Sequence, residues 1–121
     1  FYWEEPMSMG ENNNNPYRGK VIILVNSRTI SYAELYAMGL QTVNNSFTIG
    51  SQTLGADGNV SRAEFIGGFK TGFSGIGIFY PDFTETQRKG VRIDIEVKPT
   101  ILGIKQGRDE VLEKAIKVAV E

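Results

Sequence analysis

A mixed α/β domain is the architecture this sequence predicts, on three observations. Val21 to Val25 is a continuous apolar run, short enough for a strand and apolar on both faces, as a central strand covered by helices requires. Directly after a short polar stretch, Tyr32, Leu35, Tyr36, Gly39, Leu40 and Val43 recur at helical spacing on one stripe, which predicts a helix lying against the sheet. Farther on, Val91, Ile93, Ile95 and Val97 alternate with Arg92, Asp94 and Glu96, the period of a half-exposed strand.

The remaining elements follow in chain order. Residues 1–19 are aperiodic, and the run Asn12 to Asn15 before Pro16 favours turns, so this stretch reads as a linker or surface loop from an upstream part, with residues 20–121 forming the domain. The aromatics Phe1, Tyr2 and Trp3 are costly to expose and are expected to pack against something. Asn44 and Asn45 stop the first helix, and Phe47 to Ile49 then form a strand ending at Gly50. Between Gly50 and Gly77 glycine recurs among alternating segments such as Val60 to Ile66, which predicts short antiparallel strands joined by tight turns. Ile76 to Tyr80 is a further expected strand, closed by a turn at Pro81 and Asp82. After Pro99 and Gly107 comes a terminal helix with Val111, Leu112, Ala115, Ile116 and Ala119 on one face, and with Asp109 and Glu110 suited to its N-terminus.

Composition narrows the chemistry. The 121 residues suit one modest core, and 13 basic against 14 acidic residues, net charge -1, leave no basic run able to neutralise a phosphate backbone. Nucleic acid is not an expected partner. There is no cysteine, hence no disulfide, thiol nucleophile or thiolate metal site, and no histidine, the usual general base near neutral pH. No cofactor and no metal site are expected. No apolar run approaches the roughly 20 residues of a membrane helix. The chain begins at Phe1 without a charged and then apolar leader, and it reads as a piece of a longer protein.

The junction from Val21 to Leu40 is the informative part, because a buried strand leads through a polar turn to Ser31 at the start of a helix. Ser31 and Glu34 have the S-x-x-E spacing of a capping box, in which the hydroxyl bonds the Glu34 amide and the carboxylate reaches back to the Ser31 amide. The same position also suits a nucleophile: the turn presents the hydroxyl to a cleft, and the backbone N–H of Tyr32 is an oxyanion donor supplied by the helix end. Local spacing leaves both readings open.

The stretch VIILVNSRTISYAELYAMGLQTVNNSFTIGSQTLG, Val21 to Gly55, resembles the nucleophile segment of the tail-specific, or C-terminal processing, serine proteases. The shared pattern is an apolar strand, a polar turn, a serine followed three positions later by glutamate, and a second strand closing with G-x-x-T-x-G, here Gly50, Thr53 and Gly55. Gly67 through Tyr80 and Pro81 to Gly90, Val91 and Asp94 is similar to the family's closing strands, and Gly107 to Lys114 to its final helix. The resemblance implies a crotonase-like core of mixed sheet packed with helices, the C-terminal part of a catalytic domain, Ser31 as nucleophile, Tyr32 N–H at the oxyanion, and peptide or protein as substrate.

Departures from the pattern matter as much. One branch of the family carries a lysine base one residue after that last glycine and a glutamine four positions later, whereas this chain has Ala56 and Val60. Neither accepts a proton. Lys70 is the nearby substitute and carries no motif. A second, tricorn-like branch takes a histidine from an upstream segment and an acidic residue downstream. GADGN, Gly55 to Asn59, is similar to the version in secreted or periplasmic relatives from Bacteroidetes-type bacteria, which implies a base from an upstream domain and a periplasmic or extracytoplasmic location. Gly55, Asp57, Gly58 and Gln87 are the supporting candidates: Asp57 either orients that base or makes an ordinary Asp-Gly hairpin turn, and Gln87, with Glu85 nearby, falls near the acidic position within a segment, Thr84 to Lys89, that reads as a solvated loop. Phe83 and Ile93 replace an expected glycine and proline. The rival expectation is a non-catalytic ligand- or peptide-binding module on the same scaffold.

Overall fold

The computed structural model describes residues 4–11 and 13–121, so the contacts of Phe1, Tyr2 and Trp3 and the first residue of the asparagine run lie outside the described residues. The elements are β1 (Val21–Val25), α1 (Tyr32–Gln41), β2 (Ser46–Gly50), β3 (Val60–Glu64), β4 (Lys70–Ser74), β5 (Ile95–Glu96), α2 (Ile101–Lys105) and α3 (Glu110–Val120). The described residues before β1 form no helix or strand.

β1, β2 and β5 form one sheet in the order β1-β2-β5, parallel throughout, with Val21 opposite Ser46 and Val25 opposite Gly50. β3 and β4 make a separate antiparallel hairpin, so the strands do not join in a single mixed sheet. Alternation along β1 distributes its side chains between two cores. Ile23 and Val25 pack with Ala37 and Met38 of α1 and with Tyr80 and Val91; Ile22 joins Phe47, Ile49, Ile95 and Val97 against Val111, Ala115 and Val118 of α3. The central strand expected of the apolar run is not borne out among the described residues: β2 is in the middle and β1 at an edge, and Leu24 is exposed, while Ile22, Ile23 and Val25 are the positions that the helices cover.

Several expectations require correction. The helical stripe Tyr32, Tyr36, Leu40 and Val43 is exposed, and Val43 lies beyond the helix; α1 buries Glu34, Ala37 and Met38 instead. Hydrogen bonding decides the face, because Glu34 and Gln41 find partners on the sheet side. In α3 likewise Ala115 and Val118 are buried while Leu112 and Ile116 stay exposed. The strand expected over Val91 to Val97 shrinks to Ile95–Glu96, because the Val91 and Arg92 amides bond to the Thr53 and Tyr80 hydroxyls rather than to a neighbouring strand. Ile76 to Tyr80 forms only an isolated bridge between Phe79 and Glu85, its backbone being engaged by the turn from Tyr80 to Thr84. The short helix α2, capped by Thr100 Oγ1 on the Gly103 amide, was not anticipated.

Candidate active site

β1 delivers the chain to a turn held by its own polar groups. The Asn26 amide bonds Thr29 Oγ1 at 3.1 Å, the Arg28 amide bonds Asn26 Oδ1 at 2.8 Å, and the Thr29 amide bonds the Asn26 carbonyl at 2.9 Å. Ser31 follows with φ 57° and ψ -124°, a backbone conformation that non-glycine residues rarely adopt. Both arms of a capping box are in place, but the Ser31 hydroxyl arm does not reach hydrogen-bond geometry. The Ser31 amide donates to Glu34 Oε2 at 3.1 Å, whereas the Glu34 amide donates to the Ser31 carbonyl oxygen at 2.8 Å and the hydroxyl makes no cap bond. The Ser31 hydroxyl is therefore not consumed in starting the helix. The Tyr32 N–H has no acceptor among the described residues.

Ser31 and Tyr32 are exposed and, with Leu35, Asp57, Gly58, Asn59 and Ile78, line a hollow of about 30 Å³. The structure thus brings together Ser31, Tyr32, Asp57 and Gly58, all singled out from sequence. Asp57 is not a surface hairpin turn: it is 1 % exposed, its Oδ2 accepts the Thr86 hydroxyl, and its Oδ1 is buried without a partner among the described residues. Burial is the main cause raising its carboxyl above the ordinary 3.8, opposed by the Thr86 hydroxyl bond and reinforced by the negative charges of Glu34 and Glu85.

Gly55 and Gln87 hold the walls. Gly55 has φ 69°, and a Cβ there would lie 2.8 Å from the amides of Lys89 and Gly90. Gln87 Nε2 donates to the Asp57 carbonyl at 3.0 Å and the Ile76 carbonyl at 3.1 Å, fastening both legs of the β3–β4 hairpin at its base. The segment Thr84 to Lys89 is accordingly not a fully solvated loop, since Thr86 is buried and Gln87 half-buried. Phe83 takes φ 64°, the left-handed conformation that the expected glycine would adopt freely. Lys70 lies on exposed β4, paired with Glu64 at 3.4 Å, and does not line the hollow.

Two residues mattered more than the sequence indicated. Thr86, unremarked in sequence, is the partner of Asp57, and Thr53 donates to Glu34 Oε1 at 2.6 Å while accepting from the Val91 amide at 2.9 Å. The threonine of G-x-x-T-x-G was the available signal for the second; none existed for the first. A larger hollow of about 420 Å³, lined by Gln41, Tyr80, Asp82, Arg92 and Asp94 among others, sits at the opposite end of α1, where Tyr80 and Gln41 are bonded to each other and Arg92 to Asp82. Size does not decide between the two: the Ser31 hydroxyl, without a cap bond, and the Tyr32 amide, without an acceptor among the described residues, are in the smaller one. Among the described residues there is no cluster of metal-binding side chains and no helix long and apolar enough to cross a membrane.

Comparison with known proteins bears on the fold and the family. No curated protein sequence matches the chain. Its fold is similar to a crystal structure of a candidate peptidase from Parabacteroides merdae, with TM-score 0.82 and 23% identity over 91% of this chain and 35% of that one. It is also similar to mature CPAF complexed with lactacystin, with TM-score 0.69 and 21% identity over 89% of this chain and 21% of that one. A lipoprotein from Streptococcus agalactiae aligns with TM-score 0.52 and 15% identity over 78% of this chain and 32% of that one. The chain thus spans about a third or less of the length of these structures. The model of Peptidase family S41 matches residues 4–97, most of the sequence, and the chain belongs to that family.

Proposed function

We propose that this chain is the nucleophile-bearing lobe of a serine endopeptidase with a crotonase-like core. The observation that carries the reading is Ser31 itself: an exposed serine on a strained strand-to-helix turn, its hydroxyl making no capping bond, beside a Tyr32 N–H that has no acceptor among the described residues. In the mechanism, Ser31 Oγ attacks the scissile carbonyl as its proton passes to a general base, and the developing oxyanion is held by the Tyr32 amide. The base then protonates the leaving amine as the C–N bond breaks, and water hydrolyses the acyl-enzyme by the reverse use of the same base.

That base comes from an upstream segment. The hollow contains no histidine or lysine, and Ala56 stands where one branch of the family has its lysine. Asp57 is the group suited to orient it, because its carboxyl lines the hollow with Ser31 and its Oδ1 has no donor among the described residues; an imidazole N–H would supply one once the chain covering that oxygen shifts. The family resemblance further supports a periplasmic or extracytoplasmic setting and a peptide or protein substrate. A second reading, a non-catalytic peptide- or ligand-binding module, is favoured by the same missing base.

The test is fluorophosphonate labelling of the full-length protein, with the adduct located by mass spectrometry, alongside a peptidase assay. Labelling on Ser31 and loss of cleavage in Ser31→Ala are expected. Full cleavage activity in Ser31→Ala would remove the assignment, and an unlabelled, inactive wild type would favour the binding module.

A further inference from the structure

We propose that Glu34 is a positioning residue, whose carboxylate locks the nucleophile turn to the loop that forms the opposite wall of the hollow. A cap needs one bond from Glu34, to the Ser31 amide. The structure shows four. Oε2 accepts from the amides of Ser31 and Ala56 at 3.1 and 3.0 Å, and Oε1 accepts from the Gly55 amide and the Thr53 hydroxyl at 2.7 and 2.6 Å. Glu34 is 0 % exposed, and no cation pairs with it among the described residues. A buried carboxylate without a counter-ion is tolerated only when its oxygens are saturated by donors, and here three of the four come from a segment about twenty residues away.

The consequence is geometric. One carboxylate fixes the amide of Ser31 relative to the chain that runs directly from Ala56 into Asp57 and Gly58, so the hydroxyl and the facing wall cannot drift apart. It also opposes the tendency of a non-glycine residue at φ 57° to relax. Thr53 extends the lock to a third segment, because the hydroxyl that donates to Glu34 also accepts the Val91 amide.

The role rests on Ser31 acting as nucleophile, and the experiment separates the two. In the full-length protein, Glu34→Gln offers one acceptor oxygen where two are needed and must turn its NH2 toward two of the four donors. It should lower kcat about 100-fold with KM changed less than about threefold, the signature of misplacement rather than lost binding. Hydrogen exchange should accelerate together at Ser31 and at Gly55 to Ala56. Thr53→Val should cost about tenfold in kcat, with Thr53→Ser restoring most of it because it keeps both bonds.

Wild-type kcat in Glu34→Gln, or exchange that changes in α1 alone, reduces Glu34 to a helix cap and overturns the proposal. So does an Ala115→Gly control, in the other core, that loses as much kcat for the same loss of stability. If Glu34→Gln does not fold, the threonine pair decides: Thr53→Val equal to wild type, or Thr53→Ser no better than Thr53→Val, overturns it. Full activity in Ser31→Ala sinks the nucleophile and the positioning role together, whereas an inactive Ser31→Ala beside an unaffected Glu34→Gln sinks the positioning role alone.

Discussion

Replacing Ser31 by glycine should leave the protein more stable than replacing it by alanine, although both changes remove the hydroxyl. At φ 57° and ψ -124° the Cβ of any L-residue is crowded by its own backbone, a strain of about 1–3 kcal/mol that alanine keeps and glycine releases. Against this, glycine widens the unfolded ensemble at a cost of about 0.5–1 kcal/mol relative to alanine. The difference leaves Ser31→Gly more stable by about 1 kcal/mol at mid-range, between roughly 0 and 2.5 kcal/mol. Alanine itself should fall within about 0.5 kcal/mol of wild type, since the exposed hydroxyl makes no capping bond. Urea unfolding of the full-length variants, with hydrogen exchange across β1 and β2 reporting this lobe, measures the comparison. Alanine equal to or better than glycine would mean that the turn is unstrained, and a loss above about 1 kcal/mol in Ser31→Ala would mean that the hydroxyl is a cap after all.

Other consequences are equally direct. Gly50→Ala should destabilise by at least about 3 kcal/mol or prevent folding, because a Cβ on that residue, at φ 140°, would sit 1.8 Å from the Val25 carbonyl oxygen; a urea midpoint near wild type would contradict the register of β1 on β2. Tyr80→Phe should cost about 1–2 kcal/mol by thermal unfolding, since the phenol donates to Gln41 Oε1 at 2.5 Å and accepts from the Arg92 amide at 3.0 Å. For Asp57, whose acid is raised in the fold, the 121-residue chain alone gains stability from the proton that is full below the ordinary 3.8 and lost as pH rises through the raised value. Asp57→Asn, which mimics the protonated form, should remove that slope in urea midpoints taken between about pH 4 and about pH 8; under the proposed pairing of an upstream base with the Asp57 carboxylate, the slope in the full-length protein should flatten or reverse.

What the sequence revealed was what short range encodes. The apolar run of β1, the stop at Asn44 and Asn45, the strand ending at Gly50 and the S-x-x-E start of α1 each depend on neighbours a few residues away. The face of α1 did not, because its buried side is chosen by a carboxylate whose donors lie about twenty residues downstream, leaving Tyr32 and Tyr36 outside. Asp57 is left between two readings for the same reason: Asp-Gly is a turn signal locally, and only Thr86, distant in sequence, makes it a buried acid. Val91 to Val97 alternates like a strand, yet side-chain hydroxyls intercept its first amides before a ladder can form.

Gly55 and Gly90 meet backbone to backbone, each at positive φ, and a Cβ on Gly90 would lie 2.4 Å from Thr53 Oγ1. The loop bearing Asp57 and the segment bearing Thr86 therefore interlock without any side chain as a spacer. Transplanting this pocket into another scaffold requires both strips of chain to travel as one cassette, because neither can be reshaped or lengthened at the crossing while the other keeps its path.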